Sequence, residues 1–367
     1  MGAVTHEARE IWFDGVVGRM GFSGVAAFAA AFGLRPYRLN QIYRAACKEL
    51  AGGPADVTTL PKELRDAMVA RGIAFSSVVP SVVRRSRDGQ TTKALLTLAD
   101  GKEVEAVLME HSGDRTTVCI SSQAGCAFAC AFCSTGQAGF TRNLSAVEIF
   151  DQARYFAREL ASRGKRITNV VFMGMGEPFH NYDAVMDAVK LLNDPHGFGL
   201  GHRHITISTV GLVDKIDRFA GERLQVNLAI SLHAPNDATR SAIMPVNRKF
   251  DVGELMAACE RYVAKTNRKV FFEYVMLEGV NDGRDAAREL AELMRGRLYH
   301  VNLIPYNATP DGPFDGTPDA AIWEFAAILE AAGVPVTVRR NMGRDIAAAC
   351  GQLRAETQPK SKIAARA

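Results

Sequence analysis

Two periods of apolar residues divide the chain. Up to about residue 75 the spacing is helical: Val25 to Phe32 is rich in Ala and Phe, Leu39 to Leu50 is periodic, and Pro61 can open a helix that ends near Gly72. From Val78 to Met109 the pattern alternates and breaks at Asp88-Gly89 and Asp100-Gly101. Both breaks are hairpin signals, so a three-stranded meander is predicted. After Gly113 short apolar runs alternate with helical stretches, as in βα units. The predicted strands are Thr117 to Ser121, Asn169 to Met173, His204 to Thr209, Gln225 to Leu232, Val270 to Leu277 and His300 to Tyr306. Between them lie predicted helices at Ser145 to Ser162, Asp183 to Leu192, Asp251 to Lys265, Asp285 to Arg295 and Pro318 to Ala332, the first with Glu148 completing a capping box on Ser145. Six units are fewer than the eight that close a barrel. The expected fold is therefore α/β: a partial, open six-unit βα barrel with an extra strand near Val334 to Arg339, an N-terminal helical accessory domain and a small β-meander. The expected division is 1–75, 76–112, 113–353 and a basic tail over 354–367.

Composition narrows the class. The chain of 367 residues is 47% hydrophobic and 23% charged, ordinary values for a soluble globular protein. With 44 basic and 40 acidic residues the formal charge is +4, so any nucleic-acid surface must be local. Seven cysteines without small-domain spacing argue against a disulfide framework and for a reducing cytoplasm. No stretch reaches the ~18 uninterrupted apolar residues of a membrane span. No membrane partner is expected.

Four of those cysteines fall between Cys119 and Leu144, and Cys126, Cys130 and Cys133 form a C-x3-C-x2-C array. Three thiolates can hold three irons of a 4Fe-4S cluster and leave the fourth iron open. An open iron can chelate the amino and carboxylate groups of S-adenosylmethionine and pass it one electron, which yields a 5'-deoxyadenosyl radical. Phe132 completes a C-x3-C-x-aromatic-C pattern that resembles the radical-SAM signature. The competing readings are a zinc site and buried spare thiols. Zinc favours a fourth Cys or His and paired C-x2-C knuckles, and no second C-x2-C occurs here.

Ligands of α/β barrels bind where strands end. The cluster loop follows the first barrel strand and Gly174-Met175-Gly176-Glu177-Pro178 the second, where two glycines and a carboxylate would let the backbone approach an ammonium group. Ser208 closes the third strand, Ser231-Leu232-His233 the fourth and Pro305-Tyr306-Asn307 the sixth. One such residue is unremarkable, but polar groups at successive strand ends indicate a bound polar cofactor. Of the other cysteines, Cys47 and Cys259 read as core residues in helices, and Cys350 sits beside Gly351.

Taken together, SSQAGCAFACAFCSTG, GFTRNL, GMGEP, AISLHAPND, PVNRK, FEYVML with GVND, NLIPYN and CGQL resemble the radical-SAM RNA adenine methyltransferases of the RlmN and Cfr type, over about residues 85–353. The resemblance implies a radical-SAM barrel in which Cys126, Cys130 and Cys133 hold one 4Fe-4S cluster. It also implies that Gly176, Glu177, Ser208, Ser231, Leu232, His233 and Asn307 contact S-adenosyl-L-methionine. Cys350 would be the methyl-carrying cysteine, Cys119 the resolving cysteine and Glu105 a proton acceptor. The implied substrates are 23S rRNA and tRNA, methylated at carbon 2 of adenosine through a methylcysteine intermediate and two molecules of S-adenosylmethionine. An external one-electron donor and a disulfide reductant would be needed. Ser134 and Pro178 match the carbon-2 enzymes rather than the carbon-8 ones.

The chain departs from the pattern in three places. The spacing from Glu105 to Cys119 is one residue longer, Met109-Glu110 replaces Ile-Pro, and Met342 replaces a basic residue. The alternatives are the same chemistry at carbon 8 and a non-catalytic Fe-S RNA-binding protein. RNA-facing candidates are Arg35, Tyr37, Arg38, Tyr43, Arg44 and Lys48, where a tyrosine could stack on a base or lie in the core. Arg163-Gly164-Lys165-Arg166, Arg203, Arg248-Lys249 and the tail are the others.

Overall fold

The structure is a computed structural model that describes residues 6–308, 313–339 and 342–346. Four helices come first: α1 (His6–Gly18), α2 (Val25–Ala31), α3 (Pro36–Cys47) and α4 (Lys62–Ala70). Then follow β1 (Val78–Arg85), β2 (Thr91–Leu98), β3 (Glu103–Glu110), β4 (Thr116–Cys119), β5 (Gln123–Gly125), α5 (Ser134–Gln137), β6 (Phe140–Asn143), α6 (Ala146–Ala161), β7 (Asn169–Phe172) and α7 (Tyr182–Asn193). The chain continues through β8 (Ile205–Thr209), α8 (Val213–Gly221), β9 (Asn227–Ser231), α9 (Asp237–Ile243), α10 (Val252–Thr266), β10 (Val270–Met276), α11 (Arg284–Met294), β11 (Tyr299–Pro305), α12 (Asp319–Ala331) and β12 (Val336–Val338).

Ten strands form one sheet in the order β1-β2-β3-β4-β7-β8-β9-β10-β11-β12. Pairing is antiparallel from β1 to β4 and parallel from β4 to β12. Parallel strands need crossovers, and the helices between them supply these. The sheet remains an open barrel, with the meander hydrogen-bonded to its first parallel strand through β3 and β4. All six expected βα units and the extra strand are present.

Local chemistry explains the helix starts. Ser145 Oγ accepts the Glu148 amide and Glu148 reaches back to the Ser145 amide, so α6 opens with the expected capping box. Asp251 and Glu254 repeat the device at α10, which stops at Asn267 in the left-handed region at φ 52°.

The N-terminal helices pack on α6 and α7 around the fully buried Trp12, whose ring meets Phe13, Tyr43 and Phe75 edge-on. Tyr43 is buried and donates to Asp194 Oδ2 at 2.6 Å. Of its two possible roles, the core one is therefore realised, and the hydroxyl ties α3 to the end of α7. Arg154 on α6 is also buried and donates to the Ala46 and Ala51 carbonyls.

Candidate active site

The cluster loop is a closed excursion. β5 and β6 pair antiparallel at its neck, with the Cys126 amide donating to the Gly139 carbonyl at 2.9 Å. A Cβ on Gly125 would lie 2.0 Å from that carbonyl oxygen, so only glycine closes the neck. Inside the loop the Cys133 amide donates to the Cys130 carbonyl, and the Ala131 amide donates to the Ile243 carbonyl at the end of α9. These bonds fix a short segment without regular structure against the barrel.

Cys126, Cys130 and Cys133 all line one cavity of about 150 Å3. Burial raises all three thiol pKa values, that of Cys126 to about 12. At Cys133 the backbone amides of Thr135 and Gly136 oppose the shift. Thiols this desolvated need a metal's charge to become thiolates. Among the described residues, no three His, Cys, Asp or Glu side chains are placed to hold a single metal ion. Three soft sulfur donors around one cavity suit a cluster in which each binds its own iron.

The same cavity is lined by Gly176, Glu177, Ser208, Ser231 and His233, from three successive strand ends. Glu177 is buried, and its two carboxylate oxygens accept the Phe179 amide at 2.9 Å and the Val210 amide at 2.8 Å. Burial still holds its pKa up at about 7. Ser208 and Ser231 hydroxyls lie 3.5 Å apart. His233 adopts φ 59°, and its Nδ1 accepts the Val275 amide at 3.0 Å. Burial first and Arg240 second lower its pKa to about 3, so the ring is neutral with its proton on Nε2. Phe132 meets this ring edge-on at 4.8 Å.

The two glycines of the second strand end line the cavity and also meet a packing demand within the chain. A Cβ on Gly174 would lie 2.7 Å from the Ile120 carbonyl oxygen, and one on Gly176 would lie 2.5 Å from Gln123 Cβ. Their smallness admits the β4–β5 segment. Gly176 also needs its φ of 99°. Gln123 is fully buried and accepts the Glu177 amide at 2.8 Å while donating to Asn143, which joins the neck of the cluster loop to the glycine turn.

Leu232 and Asn307 are buried beside this cavity's walls but do not line it; their neighbours Ser231, His233 and Tyr306 do. Cys119 is buried at the end of β4 and faces Val107 and Val171 in the neighbouring strands. Glu105 lies two residues from Val107, on the same sheet face. Rather than an outward charge at a sheet edge, it is buried, with Lys93 Nζ 3.4 Å from its Oε1. Between Glu105 and Cys119 the β3–β4 turn holds Gly113 and Asp114 at φ of 76° and 58°, and the strand register is regular. Cys350 and the tail over 354–367 lie outside the described residues.

Three contributors were not singled out from sequence. Arg240 is fully buried and donates to the Val210, Ser231 and Leu232 carbonyls and to Asn247 Oδ1. It ties the ends of β8 and β9 together under the cavity, and desolvation lowers its pKa to about 10. Glu273 on β10 lines the cavity, and Lys93 supplies the counter-charge to Glu105. The TRSAIMPVNRK and FEYVML runs contain the first two, but a single charge in a helix or strand does not reveal its burial.

No described helix is long and apolar enough to cross a membrane. The Radical SAM superfamily profile matches residues 120–292. A protein of Chloroflexus aurantiacus named "Probable dual-specificity RNA methyltransferase RlmN" is 48% identical, over 88% of this chain and 88% of its own. "Ribosomal RNA large subunit methyltransferase N" of Nitrosopumilus maritimus is 45% identical over 87% of this chain and 93% of its own. A crystal structure of a radical SAM methyltransferase from Sphaerobacter thermophilus superposes with a TM-score of 0.86 at 50% identity, covering 90% of this chain and 96% of that one. The cofactors that go with this membership are a 4Fe-4S cluster and S-adenosylmethionine, and the three thiols and the polar strand ends fit them. By likeness over nearly its whole length, the chain belongs to the radical-SAM RNA methyltransferases of the RlmN type.

Proposed function

We propose that this protein methylates carbon 2 of adenosine in 23S rRNA and in tRNA, with Cys350 as methyl carrier, Cys119 as resolving thiol and Glu105 as proton acceptor. The observation that carries the reading is the placement of Cys119. It ends the strand that leads into the cluster loop and shares a sheet face with the Lys93–Glu105 pair. A thiol and a carboxylate thus share one face of the sheet, with the thiol at the end of the strand that leads into the cluster loop.

The division of labour follows from the substrate. Carbon 2 of adenine is electron-poor and has no lone pair, so it cannot attack a sulfonium methyl. A Cys350 thiolate can, forming the S-methyl bond and releasing S-adenosylhomocysteine. Cys126, Cys130 and Cys133 would hold the cluster, which would supply one-electron reduction of a second S-adenosylmethionine and so the radical chemistry that the methyl group needs. Cys350 sulfur would present the carbon to the ring; the ring proton would pass to Glu105, the Cys119 thiol proton to the leaving carbon, and the remaining electron back to the one-electron carrier, as Cys119 sulfur bonds Cys350 sulfur and the methylated base leaves. An external reductant restores both thiols. Gly176, Glu177, Ser208, Ser231 and His233 on the cavity wall, with Leu232 and Asn307 beside them, would hold S-adenosylmethionine.

We assign 1–75 as an accessory RNA-binding domain, 76–112 as the meander, 113–353 as the catalytic barrel and 354–367 as a basic tail, in a cytoplasmic enzyme. The names of the relatives, one dual-specific and one directed to the large ribosomal subunit, support RNA as substrate. The test is to incubate cluster-loaded protein, S-adenosylmethionine and reductant with 23S rRNA or tRNA and to separate the digested nucleosides. The expected product is 2-methyladenosine. The 8-methyl isomer would move the reaction to carbon 8, and no methylated adenosine from either RNA would sink the reading.

A further inference from the structure

Glu273 is a buried carboxylate on the cavity wall that the reaction above does not use. It sits in a cross-strand row, Ser231–Glu273–Asn302–Thr337, that runs from β9 to the edge strand β12. Its Oε1 accepts from Asn302 Nδ2 at 3.0 Å and from Arg339 at 2.8 Å. Oε2 has no hydrogen-bond partner among the described residues. Compensation for burying this charge therefore falls on Oε1, and Arg339 brings the only counter-charge within salt-bridge distance among the described residues.

Arg339 is where the chain leaves the sheet. The strand before it has three residues, none fully buried, so packing alone fixes its exit poorly. Three bonds do so instead: the Arg339 amide to the Leu303 carbonyl at 2.8 Å, the guanidinium to Glu273, and its other nitrogen to Met173 Sδ at 3.8 Å. Six residues later Asp345 Oδ2 accepts the Arg87 amide at 2.8 Å, in the β1–β2 turn. β12 and β1 are the two edges of the open sheet. Six residues span at most about 22 Å, so the link from Arg339 to Asp345 joins the two sheet edges within that distance and is tied to the sheet at each of those residues. Cys350 comes five residues after the second fastening.

We infer that Glu273 is a positioning residue: through Arg339 it fixes, from inside the barrel, the bridging segment that leads to Cys350. Asp345 on the Arg87 amide fixes the other end. The function served rests on the reading of Cys350 as methyl carrier; the anchoring does not.

The experiment is hydrogen exchange of full-length protein, followed in peptides covering 342–353, for the wild type, Glu273→Gln, Arg339→Gln and Arg339→Lys. Loss of one charge-assisted bond should speed exchange there about tenfold or more in both Gln variants. The Lys variant keeps the charge without the fork and should fall between. Peptides from β8 and β9 should exchange as in the wild type, and iron content should hold. If Glu273→Gln does not fold, Arg339→Gln reads the same contact from a partly exposed side chain. Unchanged exchange over 342–353 in Arg339→Gln would overturn the inference. Methylation of Cys350 is scored on the same samples. Faster exchange with no methyl even in the wild type would leave the anchor standing and remove the carrier reading. A methylated wild type with unchanged exchange would do the reverse.

Discussion

Replacing Arg240 with methionine tests the part of the site that holds two strand ends together. The guanidinium makes bonds of 2.7 Å to Asn247 Oδ1, 2.7 Å to the Val210 carbonyl and 3.1 Å to the Leu232 carbonyl, in a place no solvent reaches. Each orphaned acceptor costs about 1–3 kcal/mol. Methionine recovers part of this by removing a charge whose desolvation already lowers its pKa to about 10. The net loss should be about 3 kcal/mol. A chain of this length gains roughly 0.8 kcal/mol per kelvin of unfolding entropy, so Tm should fall about 4 °C.

The site should register the same change. Val210 and Ser231 both line the cavity, so S-adenosylmethionine affinity should drop about tenfold. Arg240→Lys retains the charge but cannot serve three directions, and should recover less than half of either loss. Calorimetry and equilibrium binding on cluster-loaded protein read both quantities. A Tm within 1 °C and affinity within about twofold of wild type would refute the idea that Arg240 supports the cavity.

Gly176→Ala should abolish S-adenosylmethionine binding measured by equilibrium dialysis, because its Cβ would meet Gln123 at 2.5 Å and its φ of 99° disfavours any side chain; binding as tight as wild type would contradict this. Glu177 has a folded pKa near 7 against an ordinary 4.5, so its native state prefers the proton. Relative to Glu177→Gln, the cluster-free wild type should therefore lose stability as pH rises from about 4.5 to 7, by at most about 3 kcal/mol; parallel denaturant curves for both proteins across that range would contradict it. Tyr43→Phe leaves the buried Asp194 without its 2.6 Å donor and should cost about 1–2 kcal/mol in urea unfolding. RNA affinity should stay within about twofold, since a buried ring cannot stack on a base, and a larger loss would reinstate Tyr43 as an RNA contact.

The barrel was legible because its strands read as short apolar runs between capped helices, and burial on both faces of a parallel sheet demands that pattern. α8 and α9 were not foreseen. Each is short, and α9 follows the polar run Ala234-Pro235-Asn236 that reads as a loop until Asn236 accepts the Thr239 amide and becomes its cap. The cluster cysteines and strand-end polar residues could be found because spacing and strand position are properties of the chain itself. Arg240, Gln123 and Glu273 could not. Their importance lies in where backbone carbonyls and amides from distant strands come to rest, and no local pattern reports that. Glu105 shows the same limit from the other side, since alternation along its strand does not tell an edge charge from a buried one, and the sheet buries it with Lys93.

Peptide mass spectrometry across Cys350, on protein isolated with its cluster intact and incubated anaerobically with S-adenosylmethionine, tests the methyl-carrier role most directly. One added methyl on Cys350, absent from a Cys350→Ala protein, is the expected result. An unmodified Cys350 under those conditions would contradict the carrier role and leave a radical-SAM barrel whose methyl group travels by another route.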